Sequence, residues 1–140
     1  HKGTTDDANN NSVATKVSWR NVSFLLASDT GFEAERYLME NRADLKSDIL
    51  KVGHHGSRGS TCQDFLAIVK PVSAVISCGK VNRFGHPHPE LMQRLQACVP
   101  EDKIFITAVH GNIEFTTDGY RLWRQCEKTA EKKAGMNILQ

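Results

Sequence analysis

Two adjacent histidines, His54 and His55, follow the apolar run Ile49-Leu50-Lys51-Val52-Gly53 and directly precede Gly56. Imidazole is the commonest protein metal ligand and the side chain that unperturbed titrates nearest neutral pH. A pair of imidazoles in a loop leaving a strand therefore points to metal or phosphate chemistry. Two other loops carry groups of the same kind. Asp29 follows the apolar run Val22-Ser23-Phe24-Leu25-Leu26-Ala27-Ser28, and His86 and His88 lie in Gly85-His86-Pro87-His88-Pro89. In that last segment each proline fixes its own φ and pushes its predecessor toward extended geometry, a stiffness that suits a substrate clamp.

Each group also has a purely structural reading. Asp29, at a strand-to-helix turn, would cap a helix starting near Gly31. His54 and His55 would form a polar turn in which Gly56 supplies a positive φ and Ser57 closes the turn. His88 would be the N-cap of a helix with Pro89 at its first position. Adjacent residues on an extended segment point opposite ways, so one of His54 and His55 can readily reach a metal, and the spacing leaves open which. His110, next to Gly111, reads as a surface turn residue.

The elements that must position these groups follow from hydrophobic period and punctuation. Strands are expected over 13–19 and 22–27, joined at Arg20-Asn21 as a hairpin, and the pairs Thr30/Glu33 and Ser60/Gln63 read as capping boxes. The first opens a helix to about Asn41 with Ala34, Tyr37 and Leu38 on its inner face, and the second opens one that Pro71 stops. Buried strands are expected over 49–52 and 72–78. A third helix starts at Pro89 and runs to Pro100 on Leu91, Met92, Leu95, Cys98 and Val99. Short strands over 103–107, 113–117 and 120–123 follow, with Asp118-Gly119 a hairpin turn. This is an α/β pattern, helices packed on a mixed sheet. Residues 1–12 read as a polar arm, 13–125 as one domain and 126–140 as a charged tail.

The bulk composition narrows the class. At 140 residues the chain is long enough to hold one core without staples. A formal charge of +2, with acids and bases interspersed, announces no strong field for nucleic acid or an anionic membrane. The four cysteines, Cys62, Cys78, Cys98 and Cys126, form no C-x-x-C, and the first three sit among apolar residues as reduced core thiols do. With no long apolar run and no signal-peptide pattern, the expected setting is soluble and cytoplasmic.

The motifs together resemble the metallo-β-lactamase-fold domain of the ComEC DNA-internalisation proteins. The resemblance rests on Asn11-Ser12 before a strand, Phe24 to Asp29, Leu50 to Ser57 and Asn82 to Pro89, in that order, and covers roughly residues 10 to 119. It implies a four-layer αββα sandwich of two similar halves, of which this chain resembles the second, a partial sandwich with helices packed on one face of a mixed sheet. It further implies a site for two divalent ions, Zn or Mn, that hydrolyses a phosphodiester, with DNA as substrate. Asp29 would bridge the metals. One of His54 and His55 would bind metal while its neighbour faces substrate phosphate, and His86 would join the catalytic set. Ser57, Lys80, Asn82, Arg83 and His88 would border the phosphodiester.

Two departures from the family stand out. Ser28 takes the place of the usual glycine before the aspartate, and the His-x-His-x-Asp-His type cluster of the family's first half is absent. The chain alone is therefore expected to be catalytically incomplete. Its partner would be an upstream half-domain or a second copy, docking on a sheet face lined by 22–27 and 72–78. The rival expectation is a catalytically silent module that assembles with a second chain.

Overall fold

A computed structural model describes residues 11–41, 43–128 and 136–137. The expected arm over 1–12, apart from Asn11 and Ser12, and most of the expected tail over 126–140 lie outside the described residues.

The chain opens with a hairpin of β1 (Thr15–Trp19) and β2 (Val22–Leu26), in which Trp19 pairs with Val22 across Arg20 and Asn21. Arg20 adopts a left-handed φ of 53° at the turn. Beyond it the sheet is parallel. β3 (Ile49–Lys51), β4 (Ser73–Ile76) and β5 (Ile104–Ile106) add in sequence order, giving β1-β2-β3-β4-β5. The crossovers are α1 (Phe32–Glu40), α2 (Gln63–Val69) and α3 (Pro89–Gln96). Parallel strands need such crossovers, and helices on the faces explain why these strands read as short continuous apolar runs.

One face of the sheet meets the helices. Leu25, Leu50, Ala74 and Ile76 pack with Phe65, Leu66 and Val69 of α2 and with Leu91 and Leu95 of α3, and Leu38 and Met39 of α1 join them. Each fully buried leucine here contributes about 1.5–3 kcal/mol of transfer free energy. The opposite face meets a second, antiparallel sheet of β6 (Ile113–Thr117), β7 (Leu122–Cys126) and β8 (Met136–Asn137), reached from β5 through the short helix α4 (Thr107–His110). Leu122 is buried there with Val22 and Ile49, and Phe24, Val75 and Phe115 pack around them. The rings of Phe24 and Phe115 meet edge to face at 6.2 Å.

That second layer corrects the expectation of an open sheet face on strands 22–27 and 72–78. The chain's own β6–β7 hairpin covers part of it, because Phe115 and Leu122 need burial as much as the sheet does. β6 runs over the expected 113–117, whereas β7 starts and ends later than 120–123, at Leu122–Cys126.

Both capping boxes are also replaced. Gly31 is the N-cap of α1 without a side-chain bond, and Thr30 Oγ1 donates to the Ala27 carbonyl at 2.7 Å instead. The N-cap of α2 is Cys62, whose Sγ accepts from the Phe65 amide at 3.4 Å, while Ser60 Oγ donates to the Gly53 and Ser57 carbonyls. Local bonds of Ser and Thr to nearby carbonyls compete with capping, and here they win. The inner face of α1 differs as well: Tyr37 is exposed and Glu35 is buried. All four cysteines are free thiols, and Cys98 is exposed rather than in the core.

Candidate functional site

β2, β3 and β4 run parallel, so the loops leaving their carboxyl ends open on one edge of the sheet. Asp29 lies in the first of these loops, His54 and His55 in the second, and His86 and His88 in the third. The five groups are brought together at that edge.

The histidine turn is built on unusual backbone. His54 (φ 46°) and His55 (φ 55°) both adopt left-handed conformations within the tight turn Gly53–Gly56, and Ser28, beside Asp29, has φ 51°. Each costs a non-glycine residue about 1–3 kcal/mol and persists only where surrounding bonds over-determine it. The His54 amide donates to the Ser28 carbonyl at 2.9 Å, the Ser57 amide to the His54 carbonyl at 2.9 Å, and the Gly53 amide to Thr61 Oγ1 at 3.3 Å. The left-handed backbone at Ser28 gives a physical reason for glycine at that place. The expectation that His54 and His55 are extended is corrected: they sit in a turn of left-handed backbone.

His55 Nδ1 lies 2.7 Å from the Ser77 carbonyl. A carbonyl only accepts, so Nδ1 carries the hydrogen, and in the neutral ring Nε2 is left with its lone pair. Nε2 faces Asp29 Oδ1 at 3.5 Å, and both side chains are about half exposed. Asp29 does not cap α1, whose N-cap has no side-chain bond.

His54 points elsewhere. Its ring meets that of His86 edge to face at 5.9 Å, and His86 in turn meets His88 at 4.8 Å and stacks on Phe84 at 5.7 Å. Burial, and then the neighbouring imidazoles of His88, His54 and His55, hold His86 below its ordinary pKa. His88 is the N-cap of α3, with Pro89 at the helix start, and its Nδ1 accepts from the Arg58 amide at 3.0 Å. In the neutral ring Nε2 then carries the proton, so the Arg58 guanidinium 3.4 Å away is a second donor facing a donor.

The remaining candidates divide by what holds them. Asn82 braces its own loop: Nδ2 donates to the His86 and Gly79 carbonyls, and Oδ1 accepts from the His86 amide. Ser57 Oγ accepts from the Gly59 amide at 3.4 Å. Lys80 and Arg83 are exposed, Arg83 with its guanidinium over the Phe84 ring at 4.8 Å. His110 ends the short helix α4, half-buried, with its ring against Phe105, which corrects the reading of it as a surface turn residue.

Among the described residues no three His, Cys, Asp or Glu side chains form a group that could hold a metal ion. Asp29 and His55 offer two donors to one point. The described residues do not by themselves fit a divalent ion, which takes four or more ligands. Among the same residues no helix is long and apolar enough to cross a membrane.

Known proteins give the chain a lineage. It is 42% identical over 107 residues to ComE operon protein 3 of Bacillus subtilis, a match covering 76% of this chain and 14% of the relative. It is 35% identical over 113 residues to Recombination protein 2 of Haemophilus influenzae, and 31% identical over 110 residues to Competence protein ComA of Neisseria gonorrhoeae. This chain is homologous to a segment of ComEC-like competence proteins. It spans about 14% of the length of the first two relatives and 16% of the third, while covering 81% and 78% of itself in the second and third matches. No protein-family profile matches it, and no solved structure does.

Sequence reasoning missed the groups that fix the histidine turn from behind. Glu35 of α1 is fully buried and accepts from the amides of Thr61 and Cys62; burial pushes its carboxyl above the usual range. Arg94 of α3 donates to the carbonyls of Arg58 (2.8 Å), Ser60 (3.0 Å) and Thr61 (3.2 Å). The segment after the histidines is thus gripped at its amides by an acid and at its carbonyls by a base. A signal for Glu35 existed, since it is three residues before Leu38 on the face that α1 buries. Lys51, whose ammonium is destabilised by burial and favoured by the Asp29 charge, was likewise read only as a strand residue.

Proposed function

We propose that this chain is the phosphodiester-facing part of a ComEC-like competence protein with a role in DNA uptake. On this reading it is the second half of a metallo-β-lactamase-like αββα sandwich. It donates Asp29 and His55 to a site for Zn or Mn ions whose other ligands come from outside these 140 residues. The observation that carries the reading is the His55 ring: its Nδ1–H is committed to the Ser77 carbonyl while Nε2 faces the Asp29 carboxylate. Metal-binding histidines characteristically donate their second nitrogen to a carbonyl or carboxylate in this way, which fixes the tautomer and aims the lone pair. Bound divalent ions would supply activated water and neutralise developing charge on phosphate. His54, His86 and His88, with Lys80, Arg83 and Ser57, are the groups this chain would turn toward phosphate oxygens.

The test is phosphodiester hydrolysis by the longer competence protein that contains this segment, with added Mn or Zn. Asp29→Ala and His55→Ala should each lower turnover at least roughly 10- to 100-fold, the range that perturbing a metal's supporting shell produces. Turnover that persists in a chelator, or in both variants, would refute the reading.

One feature favours the rival, an assembly module without chemistry. Among the described residues β1 is an edge strand, and Val17 and Trp19 on it are about half exposed. An edge with apolar side chains is a template for a further strand. A stable metal-free oligomer in sedimentation, lost on Val17→Lys, would favour this role.

A further inference from the structure

The loop between β4 and α3 carries more apolar surface than a phosphate clamp needs. Phe84 is 59% exposed and Val81 95% exposed at the edge where the imidazoles gather. Phe84 is nevertheless not loose. Its ring lies nearly parallel to that of His86, at 22° and 5.7 Å, and the Arg83 guanidinium sits over it at 4.8 Å. The backbone beneath is pinned by the three Asn82 bonds to Gly79 and His86. From Gly79 to His88 the loop has two cations, Lys80 and Arg83, two histidines and no carboxylate.

A flat, braced, exposed ring flanked by cations and free of acids matches one ligand chemistry closely. Aromatic faces stack on nucleobases while neighbouring cations track the phosphates, and such stacking is indifferent to sequence because every base has a π face. A protein partner would be expected to bring acids to the cations and aliphatic side chains to the ring, and would read Phe84 as apolar volume. A base needs the ring's plane. Bases inside a duplex already stack on each other, so only an unpaired base can reach Phe84.

We infer that Phe84, braced by His86 and Arg83, is a stacking platform for an unpaired base of single-stranded DNA, placing the adjoining phosphate beside the imidazole cluster. The inference rests on the proposed phosphodiester function for its choice of DNA, and goes beyond it in assigning a base site and a strand state.

The experiment is a fluorescence-anisotropy titration of the 140-residue chain with a labelled oligothymidine strand, an abasic strand of equal length and a duplex, all in EDTA. Excluding metal separates this inference from the hydrolytic reading. Binding in EDTA needs no metal, so hydrolysis by the longer protein can fail while binding of the thymidine strand stands, and binding can fail while hydrolysis stands. Phe84→Ala should weaken the thymidine strand roughly 10-fold and leave the abasic strand unaffected, and Phe84→Trp should restore the lost affinity. Phe84→Leu keeps apolar volume without the flat ring and should behave as the alanine variant does. Because Phe84 is exposed, its loss opens no core cavity, and circular dichroism checks that the variants fold. Equal binding by wild type and Phe84→Ala would overturn the inference. So would wild-type affinity in Phe84→Leu, which would mark an apolar docking patch, or equal affinity for the thymidine and abasic strands.

Discussion

Asp29 and His55 face each other at 3.5 Å across the carboxyl ends of neighbouring parallel strands, and the imidazole is locked from its far side by the Ser77 carbonyl. The pair joins the loops after β2 and β3 to the strand end of β4, so three consecutive crossover units meet at one point. The consequence is a defined tautomer. In neutral His55 the proton should be on Nδ1, and long-range proton–nitrogen correlation spectra should show Nε2 without hydrogen. An Nε2–H tautomer would leave no lone pair facing Asp29 and would remove the basis for a metal-binding role.

The isolated 140-residue chain should not turn over a simple phosphodiester with added Mn or Zn. Two donors at one point fall short of the about four to six that these ions take, and the deficit is made up by water or by other chains. Release of nitrophenolate from a bis-nitrophenyl phosphate measures this directly. Turnover that disappears in Asp29→Ala would mean that the chain, alone or as a ligand-sharing dimer, completes the site.

Glu35 and Arg94 yield a stability prediction. Glu35→Ala leaves the amides of Thr61 and Cys62 without their acceptor in a buried place. Charge-assisted bonds contribute about 1.5–3 kcal/mol, so the loss should be roughly 2–4 kcal/mol once the cavity is included. Arg94→Met should cost about 1–3 kcal/mol, because the carbonyls of Ser60 and Thr61, both buried residues, lose that donor. Urea unfolding at neutral pH gives both values, and a change under about 0.5 kcal/mol, the level of an ordinary surface substitution, would show that the turn holds itself.

How much of this was legible beforehand divides along physical lines. Hydrophobic period and Pro/Gly punctuation located the hairpin, the three long helices and the buried strands, because each of those elements is dominated by its own residues' burial. The parallel order then placed Asp29, His54, His55, His86 and His88 at one edge. What was not legible came from long-range competition. Thr30 and Ser60 look like helix caps, yet both hydroxyls bond carbonyls across the turn instead. Glu35 looks like a solvent-facing charge until the amides it accepts from, 26 and 27 residues away, are known. The second sheet was visible as strands but not as a layer, since Phe115 and Leu122 find their partners on β2 and β3.

His86 sets a pH dependence. Its folded pKa lies below the ordinary 6.5 because burial and three neighbouring imidazoles oppose its charge. Between the folded value and 6.5 the unfolded chain binds more protons than the native one, so stability increases with pH through that window. The contribution is present above 6.5 and is lost as pH falls. Thermal melts on the two sides of that value should show the wild type losing more stability on acidification than His86→Gln. Equal losses would mean that neither burial nor the neighbouring imidazoles oppose the charge on His86.

Gly56 is where the two histidine loops touch, and it yields the most local prediction. It has φ 86°, its carbonyl accepts from the His88 amide at 2.9 Å, and a β-carbon there would lie 2.8 Å from Pro87 Cβ and 3.2 Å from Ile76 Cγ2. Alanine would therefore meet left-handed strain and a rigid ring at once, for a cost of about 2–4 kcal/mol. Pro87 is held by the loop and Ile76 by the core, so relief must come from the turn itself moving away. Gly56→Ala should then separate the His54 and His86 rings, now 5.9 Å apart, while the sheet stays intact. Loss of His54–His86 nuclear Overhauser contacts with retained contacts between Leu50 and Ile76 would be the expected signature. Loss of both sets would show instead that the Gly56–Pro87 contact holds the core as well as the site.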